Sequence, residues 1–441
     1  MINIKDELSG AYVSDRRQIA SLCEIGHRIN EHPELSYSAA TGSTLRKAGS
    51  NIFADTDVDI LAGHQVETLK RGKKEPVLLV IQDTTDLNLR NHKETAGLGQ
   101  LGGRGNVLGI CSHTALIATP DGLPLGLLGQ YNWAPLSGTA WYRDITKIPI
   151  EDKETYCWLM VGDWVEQRMI PHYEGKIYRI GDREGEFYEH FAAFRSERHK
   201  ILTHAKYLQR IVEYNGERIP LGEIGGKLTP IAKKTITVQR KDKKPERTAD
   251  LELSIAKIIL PAPKQHKGGK SVALNLVFVT EPNPPKGEER IEWWLLTDDD
   301  VETAEDALFI LHLYTRRWII ERFHFVIKQN LRIEALQFDS FTKLSNAFHL
   351  YGIIGWRILH TMYLARYKPD EPATQHFENQ DITILEAVTK RKISTNKQYI
   401  QALGKLVNFE PSKRQPLVGE KLLGQALNIL ANIRKGTQLN L

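Results

Sequence analysis

Residues 77–85, VLLVIQDTT, decide the fold class. Five apolar residues in unbroken succession, 77–81, read as a strand covered on both faces, because a strand with one wet face alternates polar and apolar positions. The run ends at Gln82-Asp83-Thr84-Thr85. An acid at the carboxyl end of a buried strand stands where open α/β sheets place ligand groups. An Asx-turn would call for an aspartate at the same point, so Asp83 alone leaves both readings open.

The chain downstream repeats the pattern. Residues 107–119 and 123–133 read as antiparallel strands joined by the turn Pro120-Asp121-Gly122. Residues 151–168 read as an amphipathic helix. Residues 176–180 are strand-like and end at Gly181-Asp182-Arg183-Glu184, a second acid in the same relation to a strand. A helix over 186–195 and a strand over 201–205 follow. Three strands, a helix, a strand, a helix and a strand describe a mixed sheet with helices packed on it, the order of a ribonuclease-H-like domain. The run Gly97-Leu98-Gly99-Gln100-Leu101-Gly102 fits G-x-G-x-x-G. It lacks a strand leading in and a helix leading out, so it reads as a loop and not as a dinucleotide site.

The flanking regions differ in character. Residues 1–75 read as polar helices, with basic residues Arg28, Arg46 and Lys47 and the run Lys70-Arg71-Gly72-Lys73-Lys74. Such a module suits DNA phosphates, and a solvated face has the same composition. From 208 to 290 helical periodicity disappears. Alternating stretches at 234–239, 250–259 and 272–280 indicate an inserted antiparallel β-domain, its tip at 240–247 rich in Lys and Arg. Residues 292–297, EWWLLT, form a last strand. Asp300 is placed to cap a helix running from about 303 to 330. Helices around 344–366, a polar linker near 369–380 and an amphipathic helix over 419–434, suited to packing or dimerisation, complete the order.

Composition narrows the class. The 441 residues correspond to two to four domains at about 150 residues each. A formal charge of +5 leaves polyanion binding open without demanding it. Cys23, Cys111 and Cys157 have no paired spacing, which argues for a reducing compartment and against a disulfide framework or zinc knuckle. MINIKDELSG has no apolar run, and the apolar stretch 347–364 carries His349, Arg357 and His360. The expectation is a cytoplasmic protein with no membrane segment.

The candidate chemistry converges on residues 314–328, YTRRWIIERFHFVIK. On one helix at about 100° per residue, Arg317, Glu321 and Lys328 fall roughly 60°, 20° and 40° from Tyr314, a stripe about 21 Å long. Charges at i and i+4 also decorate plain solvated faces. The stripe equally suits a carboxylate that holds a metal between donors that grip a phosphate chain, provided partner carboxylates exist. Asp83 and Asp182 are those partners. Three carboxylates in one dry cleft repel unless cations neutralise them. Hard oxygen donors select Mg²⁺ or Mn²⁺, and two ions about 4 Å apart would bracket an in-line displacement at phosphorus. A zinc site from His190, His199 and His204 lacks regular ligand spacing. A two-carboxylate glycosidase leaves the phosphate-gripping stripe unexplained.

The spacing Tyr314-x2-Arg317-x3-Glu321-x6-Lys328 resembles the YREK signature of DDE transposases of the IS-four family, the Tn-five-like cut-and-paste enzymes. Asp83-Thr84-Thr85, Asp182-Arg183-Glu184, Asn283-Pro284-Pro285-Lys286-Gly287, Trp293 to Thr297 and Leu403-Gly404-Lys405-Leu406 resemble that family too, so the likeness runs from about residue 77 onward. It implies a ribonuclease-H-like catalytic core over 76–207 and 291–335, interrupted by the β-insertion at 208–290. The N-terminal helical segment over 1–75, read as DNA-binding from its basic residues and not from the likeness, and a C-terminal helical dimerisation region over 336–441 would flank it. By the same likeness Asp83, Asp182 and Glu321 are the catalytic, metal-binding triad, holding two Mg²⁺ or Mn²⁺ ions. Tyr314, Arg317 and Lys328 hold phosphates and a flipped base, Trp293 stacks on that base, and His204 and Lys206 add DNA contacts. The partners implied are double-stranded DNA, both terminal inverted repeats and target, and a second copy in a homodimeric synaptic complex. Cleavage would pass through a 3′-hydroxyl and a hairpin intermediate, in a cytoplasmic protein associated with the nucleoid. One position departs from the family: the sequence has His204-Ala205-Lys206 where an arginine usually precedes the pair, and a histidine's grip on phosphate depends on a pKa near 6.5. Two other classes share parts of this pattern, a catalytically silent DNA-binding relative or inhibitor of transposition, and a plain metal-dependent nuclease.

Overall fold

The computed structural model describes residues 3–102, 107–135, 148–238, 246–264, 266, 268–412 and 415–438. Helices α1 (Ile4–Ser9), α2 (Gln18–Glu31), α3 (Tyr37–Ala54) and α4 (Leu61–Gly72) precede β1 (Val77–Asn88), β2 (Gly99–Gln100), β3 (Leu108–Ala118) and β4 (Pro124–Trp133). Then come α5 (Tyr156–Trp164), β5 (Lys176–Gly181), α6 (Tyr188–Ala192), β6 (His199–His204), β7 (Ile211–Tyr214), β8 (Glu217–Pro220) and α7 (Leu221–Ile224). They are followed by β9 (Ala232–Val238), β10 (Arg247–Leu260), β11 (Val272–Thr280) and β12 (Glu292–Thr297). Helices α8 (Ala304–Thr315), α9 (Trp318–Phe325), α10 (Phe341–Tyr367), α11 (Asn379–Thr389), α12 (Asn396–Leu406) and α13 (Glu420–Gln438) complete the order.

These elements form two compact units. The first joins Met1–Lys74, Thr84–Arg143 and Ile319–Leu441; the second joins Glu75–Asp83 and Asp144–Trp318. The chain passes between them inside β1 and again just before Ile319.

In the second unit the strand order is β1-β5-β6-β12-β11-β10-β7-β8, with β9 paired to β10. β1, β5 and β6 are parallel, and β6, β12, β11 and β10 pair antiparallel in turn. Burial follows direction. Leu78 to Gln82 of β1 are buried without a break, whereas β10 alternates along much of its length, as expected of a strand with one wet face. The strands between 208 and 290 are antiparallel, as their alternation indicates, and they extend this sheet through the β11–β12 pairing. Phe278 and Trp294, with ring centroids 4.4 Å apart, centre a core that takes Leu274, Leu276 and Leu296 from the strands and Tyr188 and Phe191 from α6. Helix α8 packs against β9, β10 and β11. Of the expected basic tip, residues 240–245 lie outside the described residues. Arg247 is bound to Glu281 through Nη1 at 2.5 Å and Nη2 at 2.9 Å.

In the first unit α10 is the axis. It packs against α2, α3, α4, β4, α12, α13 and the π-helical turn Val326–Asn330. Gly355 makes the last contact: a Cβ there would lie 2.5 Å from Cγ2 of Ile327. Trp356 Nε1 donates to the Pro124 carbonyl at 3.0 Å, which gives a buried indole its required acceptor. Buried Glu7 accepts from His64 Nδ1 and Arg71 Nη1, both at 2.5 Å, and so ties α1 to α4. On α13, Leu423, Ala426 and Leu430 are buried, Leu422, Leu427 and Ile433 are half-buried, and the helix packs on α11 and α12. Among the described residues no helix is long and apolar enough to cross a membrane. All three cysteines are buried and unbridged.

Three sequence expectations need correction. β1 does not stop at Ile81 but continues to Asn88, so Asp83 sits where pairing with β5 ends, inside a longer strand. The helix from 303 is capped by Thr303 in a capping box with Asp306, not by Asp300. That helix also does not run unbroken to 330. The Thr315 hydroxyl takes the His312 carbonyl at 2.6 Å, and the Arg316 and Arg317 amides reach back only three residues, both at 3.0 Å. This local competition tightens and ends α8, and α9 starts anew at Trp318 before passing into the π turn. One 100°-per-residue wheel therefore does not describe Tyr314 to Lys328.

Candidate active site

The second unit lines up its candidate residues by register. Ile81 pairs with Ile180 and Gly181 with Thr203, all on parallel strands. Two residues past Ile81 and Ile180 stand Asp83 and Asp182, and Asp182 follows Gly181 as His204 follows Thr203. Two carboxylates and an imidazole thus end a row across three neighbouring strands, spaced roughly 5 Å backbone to backbone. Across the row, His204 pairs with Leu295 of β12.

Local chemistry holds the Asp182 corner. Its Oδ1 accepts from the Glu184 amide at 2.8 Å and caps the 3-10 turn Arg183–Gly185. Below it, Gly181 has no room for a side chain, since a Cβ would lie 2.4 Å from Cζ3 of the fully buried Trp158. His190, also fully buried, is 2.6 Å through Nδ1 from the Gly185 carbonyl and fixes the far end of the turn. Glu186 takes both the Lys206 and Tyr207 amides, at 3.1 and 2.9 Å, and pairs with Arg210 at 2.6 Å. The turn after β5 and the chain after β6 are thereby fastened to each other. Lys206 itself is exposed, its ammonium 5.5 Å from the Tyr207 ring.

His204 is the residue whose character the structure defines most sharply. It is buried, and Arg183 Nε donates to its Nδ1 at 2.9 Å. Burial, then the charges of Arg183 and Arg317, depress its pKa to about 3. At neutral pH it is an uncharged ring with Nδ1 as acceptor, and the cation beside it is Arg183. Sequence reasoning passed over Arg183; its place directly after Asp182 is the one signal that marks it.

An aromatic group stands at the His204 end of the row. The Tyr314 ring lies 6.0 Å from His204 and 5.7 Å from Trp293, centroid to centroid. Tyr314 is buried, and that burial raises its phenol pKa although Arg317 hydrogen-bonds to it and pulls the other way. The Arg317 guanidinium lies 5.4 Å over Trp318, an exposed indole. Trp293 is half-buried, whereas Trp294 points to the opposite face and donates from Nε1 to Glu292 at 2.9 Å.

In the first unit Glu321 is half-buried on α9, and Lys328 lies in the π turn. Lys328 Nζ donates to the Asp86 carbonyl of β1 at 2.7 Å. Nearby, His113 Nδ1 is 2.8 Å from the Thr84 hydroxyl. His324 is held neutral, its pKa pushed to about 3 by burial and then by the charges of Lys328 and His113. Asp83 and Asp182 therefore belong to one unit and Glu321 to the other.

As ligands, Asp83 and Asp182 are hard oxygen donors on adjacent strands, the chemistry Mg²⁺ or Mn²⁺ favours. Among the described residues no three His, Cys, Asp or Glu side chains stand grouped in metal-holding geometry. The histidines considered for zinc each use Nδ1 on a separate partner: His190 on Gly185, His199 on Glu166 at 2.7 Å, and His204 on Arg183.

No protein-family model matches the sequence. Among solved structures, the chain is similar to a piggyBac transposase in a synaptic complex with hairpin DNA, at 9% sequence identity and a TM-score of 0.33. The match covers 80% of this chain and 57% of that one, so the chain spans a little over half of that protein's length.

Proposed function

We propose that the chain is a DNA transposase that cleaves phosphodiester bonds at the ends of a mobile element and joins the freed 3′ ends to target DNA. The observation that carries this reading is the placement of Asp83 and Asp182 at matched positions of neighbouring parallel strands, with Tyr314, itself against Arg317 and Trp293, close to Asp182. The spacing through Glu321 and Lys328, which resembles the YREK signature, adds the third acid and the second cation.

Asp83, Asp182 and Glu321 would hold the divalent ions, Mg²⁺ or Mn²⁺. Bound there, such ions lower the pKa of water and neutralise charge on the phosphate under attack. The chain's own part is positioning. Arg183, Arg317 and Lys206 present cations to the phosphates, and the Trp293 indole offers a stacking surface to a base rotated out of the helix. A hairpin intermediate and pairing of two copies on two DNA ends are the finer steps of the proposal.

A nicking assay with Mg²⁺ or Mn²⁺ on duplexes carrying the DNA that flanks this reading frame tests it. Asp83→Ala, Asp182→Ala and Glu321→Ala should each lower cleavage roughly 100-fold or more while end binding persists. Binding and cutting lost together would remove the acids from the metal-holding role. Cleavage without hairpin-ended products would reduce the chain to a metal-dependent nuclease, and wild-type protein that binds ends without cutting them would reduce it to a DNA-binding protein.

A further inference from the structure

The first unit contains a second concave surface. A cleft of about 1010 Å³ opens between α3, the loop after β1, and the segment that leads from the π turn into α10. Four cations line it, Arg46 and Lys47 from α3, Lys93 from the loop and Arg332 from the segment, and none has an ion-pair partner among the described residues. A fifth, Lys343, is spent on Asp339 at 2.8 Å. With Glu34, Glu94 and Asp339 also on the wall, the balance is five basic against three acidic residues, a net of +2.

Two further observations point to an occupant. Arg332 holds a left-handed backbone, φ 47°, that a non-glycine residue adopts at a cost. His92 Nε2 bonds the Glu334 carbonyl at 2.8 Å, and the Glu334 carboxylate takes the Asn88 amide at 2.8 Å, so the turn that presents Arg332 is anchored through Glu334. The wall also carries buried polar atoms that lack a hydrogen-bond partner among the described residues: the hydroxyls of Tyr37 and Tyr351, and Nδ1 of His92. Buried polar groups left unpaired are uncommon, and each calls for an explanation. The half-buried ring of Phe338 completes the lining, seated on Tyr37 at 5.3 Å and edge-on to Phe53 at 5.6 Å.

Free cations spread over three segments and a half-buried aromatic ring on the same wall are the parts of a single-strand groove. The volume is at the upper end for a small-ligand pocket and takes a few nucleotides of one strand, not the width of a duplex. We propose that this cleft binds an unpaired stretch of DNA, its phosphates on Arg46, Lys47, Lys93 and Arg332 and one base against Phe338. The inference rests on the DNA-directed reading above for its choice of ligand, but not on cleavage.

Fluorescence anisotropy of a labelled oligothymidine, titrated with full-length protein without divalent metal at several salt concentrations, tests it. Each phosphate contact on a single strand contributes about 0.7 to the slope of log affinity against log salt. Arg332→Ala and Lys47→Ala should each weaken binding and flatten that slope by about 0.7. Phe338→Leu, which keeps an apolar side chain against Tyr37 and Phe53, should weaken binding roughly tenfold with the slope unchanged. Unaltered affinity in all three variants, with folding verified by circular dichroism, overturns the proposal. So does displacement of the oligonucleotide by millimolar inorganic phosphate, which would define a small-anion site. Cleft-dependent binding in a protein that never nicks DNA would sink the transposase reading and leave this one standing. Nicking with indifferent cleft variants would do the reverse.

Discussion

Asp182 and Lys328 are held by different physics. The second unit presents Asp182 from the end of a strand whose register with two neighbours is fixed by paired backbone, over a floor made of one indole. The first unit presents Lys328 from a π turn, packed against Gly355 and tied by the ammonium to a main-chain carbonyl. The former position is over-determined by packing, and the latter depends on a few contacts. Substitutions that touch the first should therefore cost folding, and those at the second should cost folding less.

The largest effect is expected for Trp158→Ala. It empties the fully buried space beneath Gly181 and Gly185 and should destabilise the protein by about 3–5 kcal/mol in urea titration. A cost near that of a surface change would mean the Asp182 corner does not rest on the indole.

Next comes the acid sensitivity of the same corner. The His204 pKa is depressed in the fold, from an ordinary value near 6.5 to about 3. The unfolded chain thus binds the proton first, and the stability His204 contributes is complete above pH 6.5 and drains away as pH falls toward 3. Other buried histidines share this direction, so the measurement is a difference. The stability of His204→Leu should fall less steeply between pH 6.5 and 4 than that of the wild type. Parallel curves would show that the imidazole is not shielded as described.

Lys328→Met keeps the stem and deletes the bond to Asp86, and should cost roughly 1–2 kcal/mol, low in the range for a charged hydrogen bond because the group is half exposed. The smallest change is expected for Arg317→Ala. Stability should fall by about 1 kcal/mol, because the buried Tyr314 phenol loses its hydrogen bond with Arg317, while the salt slope for duplex binding loses about 0.9, one phosphate contact. A large loss of stability there would recast Arg317 as a prop for Tyr314.

How far the sequence revealed this molecule depended on the range of the forces involved. The buried runs of β1 and β5, and the acids that follow them, were legible because a doubly covered parallel strand must be apolar throughout. The alternation from 234 onward was legible for the converse reason. Periodicity over 303–330 showed helix but not its break, because a threonine hydroxyl can cap a turn or simply point outward, and Thr315 does the former. The neutrality of His204 could not be read at all, since it comes from burial and from Arg183 and Arg317 far along the chain. The cleft around Arg332 is likewise assembled from three segments, none of which carries a motif.

The buried cysteines give the chain a built-in gauge. Cys23 and Cys111 lie in the first unit and Cys157, next to Trp158, in the second, and none is bridged. A thiol reagent reaches such groups only when the surrounding structure opens, so modification rates, resolved by peptide mass, count the opening of each unit separately. A stretch that loosens on contact with DNA, or under any of the substitutions above, would announce itself by which sulfur is alkylated first.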